Sequence, residues 1–374
     1  MQILSKKKKP TVGLAIESDC LAAAELEVNG TLAVRKHGVA SLAPGIVREG
    51  EVVDVEALGE ALKELFSRNK LSPNVRLGIA NQRLAVRMLQ VPVIEDRQEL
   101  ETAIRFQAQE HVPMPLEQAV LDWEVIGTTQ TDTGEPQLSV VVAAARRDMI
   151  ERLLAALRAG DLRPVGIDVA AFGLIRAIAR DGHLAAAQPS YEERASAEQG
   201  EAAAAPQAPQ VPARMLCYLG DITNLAVARG PDCLFTRLAS FGLEGVAQRL
   251  AERRELSLEE AHQWISHVGL SAPLAEIEGE PELVEAARAV LEEGVARLAD
   301  EIRASVEYYA TQDGAVALEN VIAVGPGTTV PGLVERLQAT LGYPFAVVCP
   351  SALSRFDQAT AARLVLPFGL ALEE

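Results

Sequence analysis

Residues 214–241 decide the fold, and they read RMLCYLGDITNLAVARGPDCLFTRLASF. The apolar run Met215–Leu219 predicts a short strand that stops at Gly220-Asp221, where the backbone can turn sharply and leave amide groups free. Residues 224–228 predict a second strand, and a turn leads from it into a third strand that ends at Leu238. This stretch therefore predicts a three-stranded antiparallel unit whose first corner can bind an anion.

The same unit occurs at the start of the chain. Val12–Ile16 is an apolar run that ends at Glu17-Ser18-Asp19, and Leu21–Val28 predicts the second strand. Asn29-Gly30 is the strongest two-residue hairpin signal in the sequence, and a third strand begins at Thr31. Each unit is followed by a helix, a strand and a helix, and a repeat of this length predicts two similar lobes. Clefts between lobes are where ligands usually bind.

Charge and composition exclude several classes of protein. The 374-residue chain has a net charge of −17, and no part of it supplies the basic face that nucleic acid requires. The basic run Lys6–Lys9 indicates a solvated start of the chain, and weak attraction to anionic lipid is the alternative. No apolar run approaches the roughly 20 residues of a spanning helix. The cysteines and histidines lack metal-ligand spacing, so we expect a cytoplasmic chain with reduced thiols and no metal site.

The strand-and-helix order of the first lobe breaks after residue 81. A strand is predicted over Leu84–Val93, and a capping box at Asp96–Glu99 starts a helix that runs to His111. Two more strands and a helix capped by Asp148 complete a compact α+β module. Further along, Ala185–Ala213 is almost free of large apolar residues, which predicts a flexible linker.

The second lobe also carries an insertion, which is helical. A capping box at Ser257 starts its first helix, and a long helix from Pro281 to Tyr309 is predicted to break near Gly294. The predicted division is 11–81 and 163–184 for the first lobe, 82–162 for the module, 185–213 for the linker, 214–254 and 315–374 for the second lobe, and 255–314 for the helical insertion.

This organisation resembles the type IV pilus assembly protein PilM family over nearly all of the chain from Thr11 onward, apart from the linker. The most specific segment is 99–115, ELETAIRFQAQEHVPMP, and residues 121–127, 142–147 and 162–168 also match the family's pattern. The resemblance implies an α/β, actin-like fold of two ribonuclease-H-like lobes with an inserted FtsA-like α+β (SHS2-like) subdomain.

Family members bind ATP or ADP between the lobes, so the resemblance implies a nucleotide cleft with Mg²⁺ here. It places the remnant of this cleft at Glu17, Ser18, Gly220, Asp221, Thr223, Gly325, Gly327 and Thr328. The sequence departs from the family at the two metal-holding Asp positions, which are Ala15 and Tyr218, and Pro326 replaces a glycine. Glu17 adds a negative charge where phosphates would lie. We expect no catalytic residues and no hydrolysis, and the sequence leaves open whether a nucleotide still binds.

The sequence leaves two candidate functions from different classes. The first is a cytoplasmic scaffold of a type IV pilus, or of a related secretion or DNA-uptake machine, at the inner face of the cell membrane. It would bind the N-terminal tail of a PilN-like inner-membrane protein, together with other pilus platform and motor components, and self-association stays open. The second is an actin-like ATPase that polymerises or switches with ATP. The motif losses favour the scaffold.

The resemblance also implies where the partner binds, because in the family its peptide lies between the inserted module and the first lobe. The matching surface here runs along Leu84–Val93. We expect Arg83, Arg87 and Gln90 on one side of this strand and Val86 and Met88 on the other, with a peptide added as a further strand. The alternative is that Val86, Met88 and Leu89 are core residues of the module.

Overall fold

The computed structural model describes residues 10–372 apart from 30, 131–133, 185–210, 240 and 313. In these residues the strands are β1 (Val12–Ile16), β2 (Cys20–Asn29), β3 (Thr31–Ser41), β4 (Val47–Arg48), β5 (Glu51–Val52), β6 (Asn74–Ile79), β7 (Leu84–Pro92), β8 (Ala119–Gln130), β9 (Pro136–Arg146), β10 (Arg163–Val169), β11 (Ala213–Leu219), β12 (Thr223–Arg229), β13 (Asp232–Ala239), β14 (Leu318–Val324) and β15 (Phe345–Val347). The helices are α1 (Val55–Asn69), α2 (Arg97–His111), α3 (Arg147–Ala159), α4 (Ala170–Ala179), α5 (Leu243–Arg254), α6 (Leu258–Val268), α7 (Pro281–Ala310), α8 (Leu333–Leu341) and α9 (Gln358–Ala371). The run Lys6–Lys9 and residues 185–210 of the predicted linker lie outside the described residues.

Two five-stranded sheets with the same strand order form the two lobes. The order is β3-β2-β1-β6-β10 in the first sheet and β13-β12-β11-β14-β15 in the second. In each sheet the first three strands in sequence are antiparallel, and the last two run parallel to the first of them. The repeat predicted from the sequence is therefore confirmed.

Local capping explains several helix starts. The Asp54 side chain accepts hydrogen bonds from the amides of Glu56 and Ala57, at 3.1 and 3.0 Å, and so begins α1. Ser257 and Glu260 form the reciprocal capping box that the sequence predicts for α6. Asp148 does not cap α3, because that helix already begins at Arg147 and Asp148 lies in its first turn.

The inserted module is a three-stranded sheet, β7-β9-β8, covered on one face by α2. Leu100, Ile104 and Ala108 of α2 are buried against this sheet, whereas Phe106 points away from it and is 68% exposed. Helix α3, which the sequence division places in the module, packs instead with α1 in the core of the first lobe. Its buried side chains continue the apolar face that α1 presents to the first sheet.

A single core joins the two lobes, and α4 and α9 lie at its centre. The sequence division assigns α9 to the second lobe, but the helix packs across β1, β2 and α4. This close approach depends on glycine: a Cβ at Gly369 would lie 1.8 Å from the carbonyl oxygen of Gly173, and one at Gly13 would lie 1.9 Å from that of Pro367. Helix α9 therefore links the second lobe to the first through this shared core.

The long helix α7 runs without the predicted break. Gly294 is buried in its middle, where a Cβ would lie 2.7 Å from Cγ2 of Val246 on α5. The glycine therefore marks a close helix contact and not a kink. None of the helices in the described ranges combines the length and the apolar composition that a bilayer crossing needs.

The crossing of α4 and α9 makes Gly369→Ala a sharp test of the fold. Helix propensity alone would favour alanine by about 1 kcal/mol. The contact with the Gly173 carbonyl predicts the opposite sign, a loss of about 1–3 kcal/mol in the free energy of unfolding. Urea denaturation measures the change. Gly127→Ala, at a position with no neighbour within 4 Å, is the control and should change little. Stabilisation by Gly369→Ala would contradict the packing described for α9.

Candidate functional site

The turn that follows β1 forms the first-lobe side of the candidate site. The Glu17 amide donates to the carbonyl of Cys20 at 2.9 Å, and the Leu42 amide donates to that of Asp19 at 2.8 Å, so the turn is fixed by its own lobe. Glu17 and Ser18 are only 6% and 5% exposed. Their polar groups point at the corresponding turn of the second lobe.

The turn that follows β11 forms the second-lobe side of the candidate site and contributes the Asp221 carboxylate. Its Oδ2 accepts hydrogen bonds from both the backbone amide and the hydroxyl of Ser18, each at 2.8 Å. Its Oδ1 accepts from the amide of Ile222 at 2.7 Å. Asp221 is 7% exposed, so these bonds join the two lobes in a place that water hardly reaches.

A second set of contacts crosses between the lobes beside the first. The Tyr218 hydroxyl donates to Oε1 of Glu17 at 2.8 Å. Arg363 of α9 contacts Oε2 of Glu17 at 3.2 Å and Oδ2 of Asp19 at 2.6 Å. The guanidinium of Arg363 therefore pairs with two acidic side chains of the first turn. It reaches them from α9, the helix that joins the lobes.

Burial dominates the acid–base behaviour of this corner. Desolvation, followed by the nearby charges of Asp221 and Asp19, raises the pKa of Glu17 to about 8, against the lowering effects of Arg363 and Tyr218. Desolvation also raises the pKa of Asp221, although the two donors of Ser18 favour its charged form. The pKa of Tyr218 lies well above its ordinary value because of burial and the neighbouring Glu17. Glu17 therefore keeps its proton to a higher pH than an exposed glutamate does.

The other sequence-predicted cleft residues lie around the same corner. A Cβ at Gly220 would lie 2.5 Å from both Glu17 Oε1 and the Tyr218 ring, and one at Gly325 would lie 2.9 Å from that ring. Tyr218 therefore fills the space that these glycines leave. Thr328 donates its hydroxyl to the Gly325 carbonyl at 2.8 Å, and Gly327 is packed against Leu219. The buried hydroxyl of Thr223 has no hydrogen-bond partner.

The side chains at this corner leave little open space between the two turns. The cavity between the turns measures about 40 Å³, and an apolar cavity beside Thr223 and α5 measures about 10 Å³. Ligand pockets for molecules of nucleotide size measure about 300–1,000 Å³. In the part of the chain that the structure describes, no three His, Cys, Asp or Glu side chains are grouped to hold a metal ion.

The predicted partner strand is β7, an edge strand of the module sheet. Buried Leu89 and Val91 face α2, and Arg87 lies on the same side because its Nε donates to the His111 carbonyl at 3.1 Å. Gln90 lies on the opposite side, where its Oε1 accepts from the Ser139 hydroxyl at 3.1 Å. The prediction that Arg87 and Gln90 share a side is therefore wrong, since neighbouring positions of a strand alternate between its two faces.

The remaining members of the predicted partner surface have different surroundings. Arg83 is paired with Glu51 of the first lobe, Nε to Oε1 at 2.7 Å. Val86 is half-buried against the core between the lobes, and Met88 is 36% exposed. Leu89 is a core residue of the module, as the alternative interpretation expects. Whether these residues bind a partner stays a prediction.

A groove of about 340 Å³ runs beside β7, and the second lobe forms its other wall. Leu84, Val86 and Arg87 line it from the module. Asn224, Thr236 and Leu238 line it from β12 and β13, and β13 is itself the edge strand of its sheet. The sequence placed this surface between the module and the first lobe, so the contribution of β13 was missed.

Sequence reasoning also missed Asp19 and Arg363 as members of the corner, and treated Tyr218 only as a replaced metal position. Arg363 could have been recognised from the sequence, because it is the single charged side chain in the apolar helix Gln358–Ala371. A charge in such a helix indicates a buried partner. Nothing in the sequence identifies that partner, which lies 346 positions earlier.

Comparison with known proteins bears on both sites. Residues 13–197 match the family described as Type IV pilus assembly protein PilM. The fold is similar to that of a chain in a PilM–PilN type IV pilus biogenesis complex, with a TM-score of 0.74, 25% sequence identity and 97% of each chain covered.

Two further structures share the fold at lower identity. The ethanolamine utilization protein EutJ of Carboxydothermus hydrogenoformans gives a TM-score of 0.51 at 14% identity, covering 96% of this chain and 88% of EutJ. MreB5 of Spiroplasma citri, solved with ADP, gives 0.52 at 13% identity and covers 96% of this chain and 94% of MreB5. The predicted actin-like α/β fold is confirmed.

The raised pKa of Glu17 predicts a pH dependence of stability. Because the folded-state pKa of about 8 exceeds the ordinary value of 4.5, the folded chain holds a proton that the unfolded chain releases. This contribution is complete below pH 4.5 and is lost as the pH rises through about 8. Relative to the wild type, Glu17→Gln should therefore gain at least ~1 kcal/mol in free energy of unfolding between about pH 5 and about pH 8.

Urea denaturation at several pH values measures this difference. Glu101→Gln is the control, since Glu101 lies on the surface of α2 beside Arg105 and its replacement changes no buried acid. A wild type and a Glu17→Gln variant with parallel pH profiles would contradict the burial of a protonated Glu17.

Proposed function

Because the chain belongs to the type IV pilus assembly protein PilM family, we propose that it is an actin-like scaffold that binds the N-terminal tail of a PilN-like inner-membrane protein. The observation that carries this proposal is the similarity to the PilM–PilN complex structure, which extends over 97% of both chains and so includes the inserted module. The scaffold would act on the cytoplasmic side of the membrane, held there through its partner.

The groove beside β7 suits an extended peptide. In the described residues β9 is the one strand that pairs with β7, so a peptide can add as a strand on the other edge, where it would replace the bond from Nη1 of Arg87 to the Val86 carbonyl, 2.8 Å long. Leu84 and Val86 offer apolar contacts, and Thr236 and Asn224 offer polar ones on the facing wall. Backbone pairing would supply affinity, and the side chains of the two walls would select the sequence of the tail.

The corner between the lobes supports a scaffold rather than a nucleotide-driven machine. Ala15 and Tyr218 stand where the family has metal-holding aspartates, and Tyr218 is hydrogen-bonded to Glu17 instead. A hydrolytic cycle needs a carboxylate that holds Mg²⁺ against the phosphates. We therefore propose that partner binding by this chain proceeds without ATP turnover.

Met88→Glu tests the partner site. Met88 is 36% exposed on β7, so the substitution should leave the melting temperature nearly unchanged. A charge beside the docking edge should weaken binding of a synthetic PilN-type N-terminal peptide at least ~10-fold, about 1.4 kcal/mol, as measured by calorimetric titration. Phe106→Glu is the matched control, because Phe106 is an exposed apolar side chain on the far face of α2. Unchanged affinity in Met88→Glu with a loss in Phe106→Glu would move the interface to α2.

Phosphate release by the purified protein tests the proposal of a scaffold without turnover. We expect no release above that of a protein-free control, with or without the partner peptide. The Asp221→Asn variant should behave in the same way as the wild type. Turnover in the wild type that Asp221→Asn abolishes would assign Asp221 a role in hydrolysis and would contradict the proposal.

A further inference from the structure

We infer that Asp221 is a built-in substitute for a phosphate group, which holds the two lobes closed without a bound nucleotide. The carboxylate lies where the turns after β1 and β11 face each other. Its Oδ2 receives both hydrogen-bond donors of Ser18, the amide and the hydroxyl, at 2.8 Å each. The interaction joins residues 203 positions apart in the sequence.

The donor set of Ser18 is the kind that binds phosphate oxygens in other proteins. A backbone amide and an adjacent hydroxyl at a tight turn after a strand converge on one oxygen, and such turns recognise anions through their fixed dipoles. A carboxylate oxygen accepts the same two bonds, and charge-assisted bonds of this length are stronger than neutral ones. Asp221 therefore satisfies from within the chain the donors that an exogenous anion would otherwise satisfy.

The surrounding side chains complete the closure. Tyr218 lies over Gly325 and Gly220 and donates to Glu17, so a second interlobe bond runs beside the first. Arg363 contacts Glu17 and Asp19 from α9. Contacts from both turns and from α9 thus fix the same relative position of the lobes.

Closure at this corner also bears on the groove beside β7. Asn224 lies three residues after Asp221 in the sequence, and it lines both the cavity between the lobes and the groove. The hydroxyl of Thr236, on β13 in the facing wall of the groove, donates to the Leu225 carbonyl at 3.0 Å and lies 3.5 Å from Oδ1 of Asn224. If the partner peptide binds there, as the proposed function holds, the corner that Asp221 closes lies next to one wall of the peptide's groove.

Chemical rescue tests the inference on the full-length chain. Asp221→Ala leaves the two donors of Ser18 unpaired in a buried place, which should lower the melting temperature by roughly 5 °C. Sodium formate, a carboxylate small enough for the vacated space, should restore part of this loss along a saturating curve. Sodium chloride at equal ionic strength should not.

Asp54→Ala is the matched control, because Asp54 also accepts two backbone amides but lies exposed at the start of α1. It should lose stability without rescue by formate. No saturable rescue in Asp221→Ala would overturn the inference. Because that variant could fail to fold, the wild type provides a second measurement: a saturable rise of its melting temperature with ADP or with ATP and Mg²⁺ would also overturn the inference, and no rise is expected.

The affinity of the partner peptide separates the inference from the proposed function. In Asp221→Ala that affinity should fall several-fold and recover with formate. A wild type that binds no peptide, combined with intact formate rescue, would refute the proposed function alone. Peptide binding that survives in the wild type, combined with absent rescue, would refute the phosphate substitute alone.

Discussion

Two acidic side chains are buried where the lobes meet, and the opposite lobe supplies hydrogen-bond partners to each of them. Removing a carboxylate from water is costly unless the protein replaces the lost hydrogen bonds. Asp221 recovers them from Ser18, and Glu17 recovers them from Tyr218 and Arg363. The relative position of the lobes is therefore tied to the satisfaction of these groups, since separating the lobes would leave donors and acceptors unpaired during the motion.

The core beneath this corner restricts the same motion. Helix α9 contacts the first sheet and α4 so closely that glycine is required at Gly13 and Gly369. Arg363, which pairs with Glu17 and Asp19 at the corner, belongs to this helix, so the packed core and the polar corner are parts of one arrangement. The groove beside β7 opens at the edge of that arrangement, with one wall from the inserted module and one from the second lobe. A partner docked there would contact both halves of a rigid scaffold.

Much of the fold could be predicted because its signals are local. The two hairpin units, the caps at Asp54 and Ser257 and the outward direction of Phe106 follow from patterns within a few residues, and the structure contains all of them. The failures concern what packs against what. From the sequence, Gly294 predicts a break in the long helix because glycine weakens helices. In the structure the helix continues, and the glycine permits a close contact with Val246. The contacts of α3 and α9 with the first lobe likewise depend on tertiary packing, which periodicity does not encode.

The candidate site was predicted in part for the same reason. The family resemblance named residues that the structure places around one corner, including Glu17, Ser18, Asp221 and Gly325, and it described them as the remnant of a nucleotide cleft. Their hydrogen bonds to one another could not be predicted, because they depend on the register between two turns some two hundred residues apart. The alternation of β7 was available in the sequence, and its period of two already separates Arg87 from Gln90.

Hydrogen exchange at the Ser18 amide tests the closed corner most directly. In the structure this amide donates to Oδ2 of Asp221 at 2.8 Å within a buried site. We predict that, in the wild-type protein without nucleotide, the Ser18 amide exchanges as slowly as the amides of β1, and that ATP and Mg²⁺ leave its rate unchanged. Rapid exchange that becomes slow only when nucleotide is added would contradict closure by Asp221.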